Sequence, residues 1–261
     1  MSCRILSVLA MAVLWACSST VELDIDGHVP ELEVLEEGTL ELLRGARERL
    51  EAGDLRGARD RYASLAESHP EDPWMASLAQ EARFLGLEEG SDALSVNLRR
   101  SYREAAEAEP SPLRFLLAAR AEPDAYAALY LAERALELDP AYAWGHYARA
   151  HALARLGETE EGRRAVERAV ALEPRNLPAW WLLAWLRSHA GEQERAIETW
   201  SAWLEVARED PRVSQEAISS AECDLGVLLV RAKRHEEAAS LLGAASRDAG
   251  GRADSVLAAA A

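Results

Sequence analysis

The side chains best suited to recognition recur at helical spacing in two stretches. Trp144, Tyr147, His151 and Arg155 stand about one turn apart, and Trp181, Trp185 and His189 repeat the spacing. Each set falls on one stripe of a helix. Aromatic faces beside imidazole and guanidinium groups suit an apolar or partly acidic peptide held in an extended or helical form. Aromatics at this spacing serve as core equally well, and both readings stand at this level. Cys17 offers a different chemistry, a thiol at the end of an apolar run, whereas Cys3 and Cys223 complete neither a zinc site nor a disulfide framework. His146 and His151 do not share a helical face, and no HExxH motif, glycine-rich phosphate loop or nucleophile elbow occurs. The sequence therefore predicts no catalytic residue, no metal and no cofactor. The acidic runs Glu31–Glu37 and Glu158–Glu161 read as solvated surface.

The elements that must carry these residues are helical. The 261 residues are 49% hydrophobic and 6% aromatic, with Ala, Leu, Glu and Arg abundant and β-branched runs scarce. A net charge of −16 opposes binding to a phosphate backbone, and no basic face is evident along the sequence, so nucleic acid is not an expected partner.

Leu177–Asp210 reads as two amphipathic helices joined at Gly191. Trp180, Leu183 and Ala184 share one face of the first, while Ala196 and Trp200 lie a turn apart on the second. The same order of small residue, turn and aromatic appears at Ala46, Gly53, Ala58, Tyr62 and Pro70, with Thr39 placed as the N-cap. Pro73–Glu109 is looser, opening at Trp74 with a long turn at Gly86–Gly90. Ser111-Pro112 starts a short helix, and Asp124 caps another that ends at Pro140. Ala143–Glu173 is regular again. Val213–Ser246 carries Leu225, Gly226 and Ala238, with Lys233 where glycine is common. Pro140, Pro174 and Pro211 close successive units at intervals of 34 and 37 residues.

A unit of about 34 residues with this arrangement resembles the tetratricopeptide repeat. The resemblance implies an all-α, right-handed superhelical solenoid of about six hairpins over residues 39–248, each burying its apolar face against its neighbours. In that family the first helix of every hairpin lines a concave groove. Carried over residue by residue, the groove positions are Trp144, Tyr147, His151 and Arg155 in the fourth unit, Trp181, Trp185 and His189 in the fifth, and Arg231 in the sixth. The basic–Asn–basic set that clamps a C-terminal carboxylate in chaperone-binding members is absent from these places. Trp203 stands where the family has a small residue, which implies a wider opening between the fifth and sixth hairpins than between the fourth and fifth.

The N-terminus has its own pattern. Met1–Trp15 carries Arg4 and then an apolar run too short to span a bilayer, as in a signal peptide. Leu14-Trp15-Ala16-Cys17 resembles the lipobox of bacterial lipoproteins, in which the cysteine sulfur is acylated. The resemblance implies a signal peptide over residues 1–16, a lipidated Cys17 with an acidic tether to residue 38, and a C-terminal tail at 249–261. It places the chain in the bacterial envelope, on the outer membrane facing the periplasm, held to the membrane by its N-terminal lipid. The whole resembles repeat-built assembly lipoproteins of the outer membrane, which implies a scaffold that captures a protein or peptide partner. A self-associating homodimer through the aromatic stripe is the structural alternative, and an enzyme with a cryptic site is the remotest one.

Overall fold

The computed structural model describes Pro30, residues 34–85, Leu87 and residues 93–249. The expected signal peptide, Cys17, most of the acidic tether, most of the turn after the third helix and the tail beyond residue 249 lie outside the described residues. Twelve helices and no strand occur among the described residues: α1 Glu37–Glu51, α2 Leu55–Ser68, α3 Pro73–Phe84, α4 Ala93–Ala108, α5 Pro112–Ala121, α6 Ala125–Leu138, α7 Ala143–Leu156, α8 Thr159–Leu172, α9 Leu177–Ala190, α10 Gln193–Ala207, α11 Gln215–Arg231 and α12 His235–Ala249. They form an all-α helical-repeat solenoid.

Helix starts are set by short polar side chains that accept from otherwise orphaned amides. Asp72, Ser111, Asp124, Asn176 and Ser214 each cap the helix that follows, and Pro73, Pro112 and Pro178 occupy first-turn places where a missing N–H costs little. Thr39 does not cap α1. That helix starts two residues earlier at Glu37, and Thr39 is buried in its first turn, with Oγ1 3.1 Å from Nε2 of His69, the residue that ends α2. A tertiary contact to α2 therefore takes the hydroxyl that the sequence pattern assigns to the helix end. Gly157 and Gly191 close α7 and α9 in the left-handed region, at φ +82 and +79. The α11–α12 turn reaches the same region with Lys233, at φ +61.

Apart from α3 and α4, successive helices pack against each other, and the odd-numbered helices α3, α5, α7 and α9 also touch in sequence, forming the inner layer. The core has two parts. Leu43, Ala46, Tyr62, Leu65, Met75 and Ala82 make one cluster in α1–α3, and a larger one runs from Trp74 to Ala238. Ala58, Trp180, Leu183, Ala184, Ala196, Trp200 and Leu225 are buried at helix–helix contacts. Gly226 is buried too, and a Cβ there would lie 2.8 Å from Cδ2 of Leu242, so glycine lets α11 and α12 approach closely.

The second unit departs from the simple hairpin. α4 packs along α5, while α3 packs on α2 and α5 and meets α4 through Phe84, stacked 6.4 Å from Tyr102. The fifth and sixth units also differ from their predecessors. α7 and α9 are in close backbone contact, whereas α9 and α11 scarcely approach. The difference has the direction expected from Trp203, but the cause is more specific than bulk. The Trp203 indole is buried, stands edge-on to Trp200 at 6.0 Å, and donates to the Leu177 carbonyl at 2.9 Å. The α10–α11 connection then turns into the concave side.

Candidate functional site

That connection changes the shape of the groove. Asp210 and Arg212 are both buried and joined by a two-point ion pair, Nη2–Oδ2 at 2.7 Å and Nε–Oδ1 at 3.0 Å. The Arg212 guanidinium lies 3.9 Å from the ring centroid of Trp74 on α3. Arg47 of α1 donates to the Val213 carbonyl. Residues 208–214 thus cross the interior from the fifth unit to the first. The solenoid is closed on one side by its own loop.

Inside this closure lies a cavity of about 230 Å³, walled by Trp74 and Ser77 of α3, Trp144 and Tyr147 of α7, Trp181 of α9, and Arg212 of the crossing loop. Trp144 is buried rather than presented on an open groove. It packs at 6.4 Å on Trp74 and 5.7 Å on Tyr147, and donates to Glu173 Oε1 at 3.2 Å. Trp74 was assigned only to a helix start, because an aromatic at the first turn carries no sequence mark of facing inward.

Most buried indoles spend their N–H inside the protein. Trp180 donates to the Pro174 carbonyl at 2.9 Å, Trp200 to Ser188 Oγ at 3.2 Å, and Trp203 to Leu177. Trp181 does not. Its Nε1 is enclosed and has no hydrogen-bond partner, and the same holds for Ser77 Oγ and Arg120 Nε, all three on residues that line this cavity. The three atoms are shielded from solvent and so are not presented to an occupant; the cavity is lined by the aromatic residues Trp74, Trp144, Tyr147 and Trp181 together with Glu81, Arg120 and Arg212.

The other stripe residues divide by position. Tyr147 and His151 line a second cavity, of about 310 Å³, which shares Tyr147, Glu81 and Arg120 with the first. His151 is exposed on the concave wall, where it lines this cavity. Burial, with the Arg120 and Arg155 charges adding to it, pushes its imidazole down to about 4. Arg155 is turned aside, donating to the Glu122 carbonyl at 3.0 Å and to the Pro123 carbonyl. Trp185 and His189 stack on each other, centroids 3.8 Å apart, at the end of α9 that faces Asp224 of α11. Burial raises the Asp224 carboxyl, against the opposing charge of His189. Arg231 is exposed in the last turn of α11 and lines none of the described cavities.

The expectation of no basic face needs correction. Arg99, Arg100 and Arg103 of α4, Arg120 of α5 and Arg155 of α7 surround a third cavity of about 780 Å³. Their positions span more than fifty residues of sequence, and only the packing of α4 on α5 and α5 on α7 brings them together. The spacing of Arg99, Arg100 and Arg103 on one helix was the available signal, and the strongly acidic total charge masked it.

Among the described residues, no group of three His, Cys, Asp or Glu side chains is disposed to hold a metal, and no helix is long and apolar enough to cross a membrane.

Fold and groove together define a helical-repeat protein whose inner face holds a partly open, aromatic-lined cavity. Comparison with known proteins agrees at the level of fold. Residues 143–186, which span α7, α8 and most of α9, match the family model of the tetratricopeptide repeat. The type IV pilus biogenesis factor PilW superposes at TM-score 0.53, with 16% identity over 82% of this chain and 94% of PilW. YrrB, described as a repeat protein with an unusual peptide-binding site, gives 0.50, with 19% identity over 60% of this chain and 78% of its own. A repeat protein of Thermus thermophilus, TTC0263, gives 0.48, with 20% identity over 70% of this chain and 98% of its own. No curated protein sequence matches the chain.

Proposed function

We propose that this protein is a non-enzymatic scaffold that captures a segment of a partner protein in the chamber between α3, α7 and α9. The carrying observation is a cavity lined by four aromatic residues from three helices, Trp74, Trp144, Tyr147 and Trp181. A peptide supplies an apolar side chain for the space between the rings. PilW and YrrB lend the fold alone at their level of identity. An assembly role in the envelope rests instead on the lipobox-like sequence before Cys17 and the tether that follows it.

Two measurements test this reading. A photoreactive amino acid in place of Trp181 crosslinks to a different protein in the native cell; recovery of a self-adduct alone would replace capture with homodimerisation. Wild-type protein incorporates labelled fatty acid and sediments with membranes, and Cys17→Ala removes both. Incorporation that persists in Cys17→Ala would refute the anchor.

A further inference from the structure

The third cavity is unusual for this chain. The molecule carries a net charge of −16, yet five arginines and one carboxylate, Glu122, line one space of about 780 Å³. An ordinary solvated helix face would pair its cations at i,i+4. Glu104 and Glu107 have that spacing from Arg100 and Arg103, but neither forms an ion pair with them among the described residues. Arg103 instead reaches Glu122, and Arg99 lies over the Phe84 ring at 5.8 Å. Arg100 is exposed and has no ion-pair partner among the described residues. Arg120 pairs with Glu81, so the positive charge left over at the cavity rests on Arg99, Arg100 and Arg155.

The basic cavity adjoins the aromatic ones. Arg120 lines all three, and His151 lines both the basic cavity and the one beside Tyr147. An occupant that follows this path meets guanidinium groups first and tryptophan faces second. A long polyanion is disfavoured, because beyond the cavity it runs over an acidic surface. A short anionic run joined to an apolar side chain matches both halves.

We infer that the space between α4, α5 and α7 is a binding site for a short acidic segment of the partner protein, whose adjoining apolar side chain enters the tryptophan-lined chamber. The inference rests on the proposed capture of a peptide in that chamber and adds the chemistry of its flank. Arg99 and Arg100 receive the carboxylates, and Arg120 marks the passage inward.

The test uses the whole folded chain and two fluorescein-labelled peptides: six glutamates followed by Leu-Leu-Trp, and six glutamines followed by the same three residues. The glutamate peptide should bind at least about tenfold tighter, since each charge-assisted contact has roughly that effect. The preference should shrink with added salt. Arg99→Glu/Arg100→Glu should abolish it without weakening the glutamine peptide, and Arg100→Glu alone, at an exposed position, should reduce it with an unchanged thermal melt. Equal binding of the two peptides, or a preference that survives the double variant, overturns the acidic-flank assignment while leaving capture intact. Failure of both peptides removes capture as well. Displacement of the glutamate peptide by hexathymidylate at lower concentration than by unlabelled hexaglutamate would overturn the assignment in favour of nucleic acid.

Discussion

The junction between the fourth and fifth hairpins and the junction between the fifth and sixth are built from similar helices but reach different ends. At the first, α7 and α9 touch along the inner layer, and the connection into α9 is short, with Asn176 buried and capping Ala179 N at 3.0 Å. At the second, the inner helices draw apart, and residues 208–214 fill the gap and cross to α1 and α3. Regular stacking needs only small residues at close approaches. Departure from it needs compensation, which the chain supplies as a buried ion pair, a cation over an indole and a buried indole hydrogen bond. The irregular junction is what converts an open groove into a walled chamber.

The largest effect that separates the junctions should come from Arg212→Ala. It strands Asp210 at a site with almost no solvent access, and breaking one partner of such a pair costs about 3 to 5 kcal/mol. Hydrogen exchange should accelerate first in α10, α11 and the loop between them, with α7–α9 still protected. Equal loss of protection at both junctions would show that the crossing loop is not a separate brace.

Trp203→Ala comes next, at about 3 kcal/mol for loss of a buried indole beside a cavity that already leaves room to relax. A neutral or stabilising result would mean that the family's small residue fits here after all, and that the wider junction has another origin. A smaller contrast lies in the turns. Gly191 of the fifth unit and Lys233 of the sixth both adopt positive φ, and only glycine does so without steric cost. Gly191→Ala should destabilise by about 1 kcal/mol, while Lys233→Gly should stabilise by about 0.5 to 1 kcal/mol. Denaturation midpoints moving in the same direction would contradict the equivalence of the two turns.

Much of this architecture was legible because local chemistry sets it. Ser111 and Asp124 cap the helices they precede, as their types and places indicate, and the small and aromatic residues of Leu177–Asp210 are buried at helix contacts. The site was less legible for two physical reasons. Asp210 and Arg212 flank the Pro211 that closes the fifth unit, and nothing in their types shows that they will be buried, with Arg212 against Trp74 far away in sequence. The arginine cavity draws on three helices, so its charge is local in space but diluted along the chain. Periodicity reports which face of a helix is apolar. It does not report which faces of different helices converge, and Trp144 shows the consequence, since its stripe position fits a groove while its indole is enclosed.

The smallest predicted effect distinguishes the inner wall from the outer surface by pH. His151 has its folded-state value pushed down to about 4, below the ordinary 6.5 of an unfolded chain, because burial and the Arg120 and Arg155 charges disfavour the imidazolium. Between those two values the unfolded chain binds a proton that the folded chain does not. The stability contributed by the neutral ring is therefore complete above about pH 6.5 and is lost as the pH falls toward 4. His146, also lowered chiefly by burial, acts in the same direction. The ring of His151 has a solvent-exposed edge, so screening keeps its share below about 1 kcal/mol. His151→Gln should accordingly melt closer to wild type at pH 7.5 than at pH 4.5, where the variant should be relatively more stable. Comparing the two proteins at each pH cancels the carboxylates they share. A constant difference between them would mean that His151 titrates like a surface histidine, and that the arginines around it exert no field on the inner wall.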